Sequence, residues 1–195
     1  MTDTKIDPPR RAFALGLGAA AATTLLPAAA LAQDGSYSED EIVNAADRFF
    51  GAGAEGLGTV VRHVFEDNGR PVGYIEGTEG SGAIGIGLRY GDGRMHLHGT
   101  SSTFKVYWRG PSIGFDTGGD AAKVFTLVYG LSNYRQIYRR FPGVEGSAYF
   151  IGGVGVNYQR AEGITLAPMR AGVGFRLGAN IGYLAYSPRR IINPF

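Results

Sequence analysis

The stretch GAIGIGLRYGDGRMHLHG, residues 82–99, decides the fold class of this chain. Its short apolar runs alternate with polar residues and are separated by glycine and aspartate, a pattern typical of β-strands joined by turns. Gly91-Asp92-Gly93 is predicted to be such a turn. The same pattern runs from Pro71 onward, in VGYIEG, TFKVYWRG, KVFTLVYG, SAYFIGGVGVNYQ, GITLAP and AGVGFRLGANIGYLAY. We therefore predict a mainly β protein, a small closed β-barrel, whose 32 glycines serve tight turns and closely packed strands.

Two short amphipathic α-helices are predicted before the barrel. In SEDEIVNAADRFF (residues 38–50), Ser38 and Glu41 have the spacing of a capping box, and apolar residues follow at helical intervals. AEGLGTVVRHVFEDNG (residues 54–69) repeats the apolar spacing and ends in an Asn-Gly pair that favours helix termination. We expect residues 33–69 to pack on a barrel formed by residues 70–195, as a single domain.

Residues 1–32 have the organisation of an export signal. A polar start is followed by Arg10-Arg11, by a long apolar stretch and by the small residues of AAALAQ. The apolar stretch also has the length of a membrane anchor, about 20 residues, but its Ala, Gly and Pro27 favour a cleaved signal. The run RRAF resembles a twin-arginine signal, while export of the unfolded chain stays open. We predict cleavage between Ala32 and Gln33 and a periplasmic location.

The composition excludes several classes of site. The chain has no cysteine, so it can form neither a disulfide framework nor a thiolate metal site or nucleophile. Its formal net charge is +2, but residues 33–120 hold 7 basic and 13 acidic side chains, whereas residues 121–195 hold 9 basic and 2 acidic ones. Two interpretations stay open, because the two parts either attract each other or leave a basic face for an anionic envelope component.

The stretch SIGFDTGGDAAKVF (residues 112–125) contains two motifs that suggest chemistry. An aspartic protease needs two D-T-G loops whose carboxylates share a proton, and this sequence has one. A phosphate-binding loop needs a lysine directly after its last glycine and then Ser or Thr, which are missing here. We interpret Asp116, Asp120 and Lys123 as a polar cluster at a turn. A hydrolase that uses Asp116 is the enzymatic alternative.

The three histidines do not form a metal-binding pattern. His96 and His98 alternate along a predicted strand and so share one face, but the spacing suggests no third ligand. His63 belongs to a predicted helix. Because no local Ser-His-Asp pattern is present either, we expect no catalytic residue, no metal and no cofactor.

The segment NYRQIYRRFPG (residues 133–143) is the first candidate for a binding surface. Its interleaved arginines and aromatic residues suit stacking against sugars or contact with anionic groups. They suit equally a surface turn whose aromatic rings cover the core, so both interpretations stay open. Because the protein is predicted to be exported, we expect no nucleic-acid partner. The candidate surface consists of Arg135, Tyr138, Arg139 and Arg140.

Two further features of the sequence, a repeated tripeptide and the terminal phenylalanine, concern the barrel. The tripeptide E-G-S occurs at Glu79 and again at Glu145, which we interpret as two similar hairpins. Phe195 at the chain end is typical of outer-membrane barrels, but Pro194 interrupts strand pairing and the alternate residues before Phe195 include Asn193. An outer-membrane barrel is therefore the weaker alternative.

Three longer blocks carry a family resemblance. They are VYWRGPSIGFDTGGDAAKVFTLVYGL (106–131), IYRRFPGVEGSAYFIGGVGVNYQR (137–160) and ITLAPMRAGVGFRLGANIGYLAYSPRRIINPF (164–195). They resemble the EipA family of envelope integrity proteins. The resemblance implies a small periplasmic β-barrel that supports the cell envelope without catalysis, with peptidoglycan, lipopolysaccharide or another envelope lipid as partner. A weaker likeness to SYLF lipid-binding domains, from Trp108 to Tyr129, points to the alternative function of a lipid or anionic-glycan binding module.

Overall fold

The structure is a computed structural model, and it does not describe the whole chain. It describes residues 35–51, 56–116, 122–171 and 182–191, with side chains in these ranges except at 81–87 and 112–116. The predicted export signal with its cleavage point at Ala32 and Gln33, together with Asp120 and Phe195, lies outside the described residues.

Both predicted helices are confirmed. Helix α1 spans Glu39–Phe50, and helix α2 spans Leu57–Asn68. The capping box of α1 is formed because the backbone N–H of Ser38 donates to Oε2 of Glu41 at 2.8 Å, and the Glu41 N–H donates to Oγ of Ser38 at 3.3 Å. Helix α2 ends at Gly69, whose φ of 74° lies in the region that favours glycine.

The remaining described chain is dominated by one curled antiparallel sheet of nine strands, so the mainly β prediction is confirmed. The hydrogen-bonded order is β4-β9-β2-β1-β3-β8-β6-β5, and β7 also pairs with β8. A short 3-10 helix, Tyr134–Ile137, precedes β4. The strands are β1 Gly73–Leu97, β2 Thr103–Asp116, β3 Ala122–Tyr129, β4 Arg140–Pro142, β5 Tyr149–Ile151, β6 Val154–Val156, β7 Gln159–Ala161, β8 Ile164–Ala171 and β9 Tyr183–Ser187.

The predicted turn at Gly91-Asp92-Gly93 is wrong, because these residues lie inside β1 and pair in register with Trp108, Tyr107 and Val106 of β2. The chain turns instead between β1 and β2, at residues 98–102. The glycines are needed for close packing. A Cβ atom at Gly91 would overlap the Trp108 indole, and one at Gly93 would overlap the backbone of the first part of β1. Glycine is favoured both in turns and at tight contacts. At Gly91 and Gly93 the tight contact explains why the residue is glycine.

The second E-G-S segment is followed by the hairpin that its sequence predicts. Strands β5 and β6 are joined by Gly152 and Gly153, whose φ angles of 54° and 82° suit a tight two-residue turn. The two E-G-S tripeptides, however, differ in structure, because Glu79 lies in β1 whereas Glu145 lies in an exposed connection. Gly143, directly after β4, forms an isolated antiparallel bridge with Gln159 of β7.

Both faces of the sheet carry a hydrophobic cluster. Alternation along β3 shows the division, since Phe125 and Leu127 contact the helix-covered cluster whereas Val124 and Val128 belong to the other. This second cluster joins Leu166 of β8 to residues of β4 and β9, which lie far away in the strand order. The sheet must therefore curl around it, and the face without the helices is the concave one.

Lys123, predicted to belong to a polar cluster at a turn, contacts helix α1. Its Nζ donates to the carbonyl oxygens of Phe49 at 2.8 Å and Phe50 at 3.4 Å, and it lies 5.5 Å from the centre of the Phe49 ring. The last carbonyl groups of a helix lack partners within the helix, and a cation there also complements the helix dipole. Lys123 therefore attaches the end of α1 to the sheet.

We expect Lys123→Met to lower the free energy of unfolding by about 0.5–1 kcal/mol, because two carbonyl groups lose a cationic donor. Urea unfolding followed by the fluorescence of the single tryptophan measures this change. Lys105→Met is the matched control, since Lys105 is exposed and has no ion pair with the described residues. Equal destabilisation by both substitutions would contradict the role of Lys123.

Candidate functional site

A buried charged network on the concave face joins three strands. Glu79 of β1 accepts hydrogen bonds from Nε of Arg170 at 2.6 Å and from Nε1 of Trp108 at 3.0 Å. Nε of Arg89 lies 3.6 Å from the same carboxylate. Arg170 is directed to this face because its β8 position pairs with Val124, a residue of the concave cluster. Glu79 and Arg170 are only 7% and 5% exposed.

The network is ionised. Burial by itself would raise the pKa of Glu79, but the charges of Arg170 and Arg89 and the hydrogen bonds from Arg170 and Trp108 outweigh it and lower the pKa to about 2. Burial would lower the pKa of Arg170, but Glu79 outweighs it and raises that pKa. A carboxylate so weakly basic is a poor proton acceptor at neutral pH. The low pKa and the buried contacts of Glu79 therefore indicate a structural role.

A cleft of about 440 Å³ lies beside this network. Tyr90, Tyr107 and Arg109 line it, and β1–β2 pairing places them on the convex face, since Tyr90 is the cross-strand partner of Arg109. Gly80 and Gly91 have no side chains, and Glu79 and Trp108 lie in the floor with their side chains directed to the concave side. The full lining is Thr78, Glu79, Gly80, Tyr90, Gly91, Asp92, Tyr107, Trp108, Arg109, Ser187, Arg190 and Ile191.

The rim of the cleft is formed by the chain that follows β9. Nη2 of Arg190 lies 3.5 Å from Oδ1 of Asp92, so this segment is held against β1. Ser187 is the cross-strand partner of Tyr107 and completes the same side. Aromatic rings and guanidinium groups thus line the same cleft. That combination suits ring stacking together with two-point contact to carboxylate or phosphate groups.

The structure gives each member of the sequence-predicted surface its own contact. Arg135 lies 5.6 Å from the Tyr134 ring, Tyr138 donates to the carbonyl of Lys105 at 3.1 Å, and Arg140 lies 4.7 Å from the Tyr183 ring. Arg139 forms an ion pair with Glu162, which lies between β7 and β8. The four residues therefore reach different elements. Ligand binding by them stays a prediction.

The cleft could not be predicted from the sequence because its residues come from separate parts of the chain. One signal was available, since alternation along YWR (107–109) directs Tyr107 and Arg109 to one face and Trp108 to the other. Nothing local indicated that β9 and its following segment would lie beside them. The same limit applies to the buried network, where Glu79 and Arg170 are 91 positions apart.

The histidines have separate environments. The ring of His96 stacks on Tyr74 with centres 4.7 Å apart, whereas His98 meets the edge of Tyr37. His63 lies on α2 near Glu66 and Asp67. In the part of the chain that the structure describes, no three His, Cys, Asp or Glu side chains are grouped to hold a metal ion.

We expect Glu79→Gln to lower the free energy of unfolding at pH 7 by about 3–5 kcal/mol, because two guanidinium groups lose their buried counter-charge. The folded pKa of about 2 lies below the usual 4.5, so the stabilisation by Glu79 is complete above pH 4.5 and is lost as the pH falls toward 2. The wild type should lose stability over that range, while the variant should show a shallower decline.

Urea unfolding at pH 7, 4.5 and 3, followed by circular dichroism, measures both effects. The matched control is Glu145→Gln, since Glu145 begins the same E-G-S tripeptide but is exposed. Its substitution should change stability by less than about 0.5 kcal/mol. The ionised network is the wrong explanation if Glu79→Gln and Glu145→Gln have the same stability at pH 7.

The comparisons with known proteins agree with the resemblance in the sequence. The sequence model of the family described as "Envelope integrity protein A", EipA, matches residues 35–195, and the chain belongs to this family. It is similar to a crystal structure of a β-barrel-like, uncharacterised protein from Brucella abortus, with 46% sequence identity and a TM-score of 0.75. That similarity covers 83% of this chain and 99% of the other. No curated protein sequence is significantly similar to this chain.

Proposed function

We propose that this EipA-family chain maintains the cell envelope as a non-enzymatic protein that binds an anionic glycan in the cleft. The observation that carries the proposal is the lining of the cleft, where the rings of Tyr90 and Tyr107 lie beside Arg109 and Arg190. Aromatic rings offer flat apolar faces to sugar rings, and guanidinium groups contact carboxylate or phosphate oxygens in pairs. The family description supports a role in the envelope.

The proposed location is the periplasm, after cleavage between Ala32 and Gln33. Peptidoglycan and lipopolysaccharide both present sugars with anionic groups at this place, so either one satisfies the proposed ligand class. Among the described residues, neither helix is long and apolar enough to cross a membrane. A chain with no cysteine is compatible with an oxidising compartment.

We further propose that the sheet closes into a barrel. Strand β4 pairs with β9 at one end of the order, and the Gly143–Gln159 bridge connects the residue after β4 to β7, which pairs with β8. The Val144 N–H donates to the carbonyl of Tyr158 at 2.8 Å and extends this contact. Closure through β7 would leave the β5–β6 hairpin outside the ring and would hold the cleft walls rigid.

The absence of catalysis is part of the proposal. The one carboxylate in the cleft floor is Glu79, which already accepts hydrogen bonds from Arg170 and Trp108 and is ionised at neutral pH. The other carboxylate of the lining, Asp92, contacts Arg190 at the rim. Both acids therefore have basic or donor partners, and a binding role accounts for the lining without a reaction.

We expect loss of the gene to reduce survival of cells in detergent at least tenfold, and wild-type protein to restore it. The double variant Tyr107→Ala, Arg190→Gln should fail to restore survival, because it removes a ring and a guanidinium from the cleft. Colony counts after detergent treatment measure the effect, with immunoblots to establish equal protein levels.

The matched control is Tyr183→Ala with Arg160→Gln, which removes the same two kinds of side chain at positions outside the cleft lining. This control should restore survival. Full restoration by the cleft variant would contradict the binding role of the cleft. Equal failure of both variants at normal protein levels would also count against it.

A further inference from the structure

Two cations face each other on the exposed convex surface beyond the cleft. Arg94 of β1 and Lys105 of β2 are direct cross-strand partners, and both are exposed. Like charges in this arrangement destabilise a sheet. Within the described ranges, neither side chain forms an ion pair with an acid. Among the described residues, these two like charges are therefore not compensated by an ion pair.

The exposed surface continues from this pair to the cleft. Alternation places Lys105, Tyr107 and Arg109 on one face of β2, and the four-residue step from Arg109 to Lys105 spans about 14 Å. The nearby acids of β1 have partners, since Asp92 contacts Arg190 and Oε2 of Glu76 lies 3.5 Å from Nε2 of His96. We call the residues Arg94, Lys105, Tyr107 and Arg109 the β1–β2 track.

We propose that the β1–β2 track binds an extended anionic polysaccharide, a linear chain several sugars long with repeated carboxylate or phosphate groups. The chain would enter the cleft at one end and follow β2 toward Lys105. This inference rests on the proposed function, because it assumes that the cleft holds one sugar unit of the same chain. Charge complementarity supports it, since a repeated anion neutralises the opposed pair of Arg94 and Lys105.

The shape of the surface favours a polymer over a lipid surface. On β2 the track is a single row of Lys105, Tyr107 and Arg109. The exposed large apolar residues of the described chain are Phe150 and Ile191, 45% and 41% exposed, and neither lies at the Lys105 end of the track. A membrane-docking face would need apolar side chains beside the cations for insertion.

Two oligosaccharides of the same chemistry test the inference. Digalacturonate is short enough to occupy the cleft alone, and octagalacturonate is long enough to reach the track. The double variant Arg94→Gln, Lys105→Gln should weaken octagalacturonate binding at least tenfold in calorimetry at about 0.15 M salt, because it removes two cations from the path of the chain. Digalacturonate binding should change less than twofold.

The matched control is Arg48→Gln with Arg160→Gln, which removes the same number of charges from exposed positions off the track. This control should leave both affinities unchanged. Circular dichroism establishes that each variant is folded. Neutral maltooctaose should bind weakly to all of them, since it has the length without the charges.

The outcomes separate the two proposals. If both galacturonates bind the wild type and the track variant retains full octagalacturonate affinity, the polysaccharide track is wrong while the glycan-binding cleft stands. If neither galacturonate binds the wild type, the anionic-glycan function fails and the track inference fails with it. Track-dependent binding to phosphatidylglycerol vesicles, without octagalacturonate binding, would overturn the polysaccharide in favour of a lipid surface.

Discussion

The ion pair between Glu79 and Arg170 is the contact on which the rest of the site depends. It connects β1 to β8 across the concave side, and the hydrogen bond from Trp108 adds β2 to the same point. A buried carboxylate is costly unless its oxygens are paired, so this geometry strongly disfavours arrangements that separate the three strands. Trp108 in turn lies against Gly91, which forms part of the cleft. The position of the cleft floor therefore follows from the charge pair.

The parts of the fold that depend on local sequence were predictable. Ser38 and Glu41 satisfy each other within one turn of helix, and Gly69 ends α2 by its own backbone freedom, so both helices could be recognised from spacing. The role of Gly91 and Gly93 could not be predicted from local sequence. These positions need glycine because of the indole of Trp108 and the backbone of the first part of β1, neither of which is near in sequence.

The candidate site illustrates the same limit more strongly. Local sequence predicted a binding surface formed by the arginines from Arg135 to Arg140, but in the structure these arginines contact separate partners. The two E-G-S tripeptides are identical, but Glu79 lies in a buried ion pair whereas Glu145 is exposed to solvent. The difference arises because burial is decided by the strands that pack around each residue. The family could be recognised from long blocks of sequence, and its match over residues 35–195 confirms that recognition.

Strand alternation allows β2 to serve both stability and the proposed binding. Trp108 points to the concave side, where it donates to Glu79, whereas its neighbours Tyr107 and Arg109 point to the convex side. Substitutions on the two faces should therefore have different consequences. A change at Glu79 alters the floor of the cleft together with the stability of the sheet, so it cannot measure ligand recognition alone. Substitutions of the convex residues can measure it, because they should leave the buried ion pair and the curl of the sheet intact.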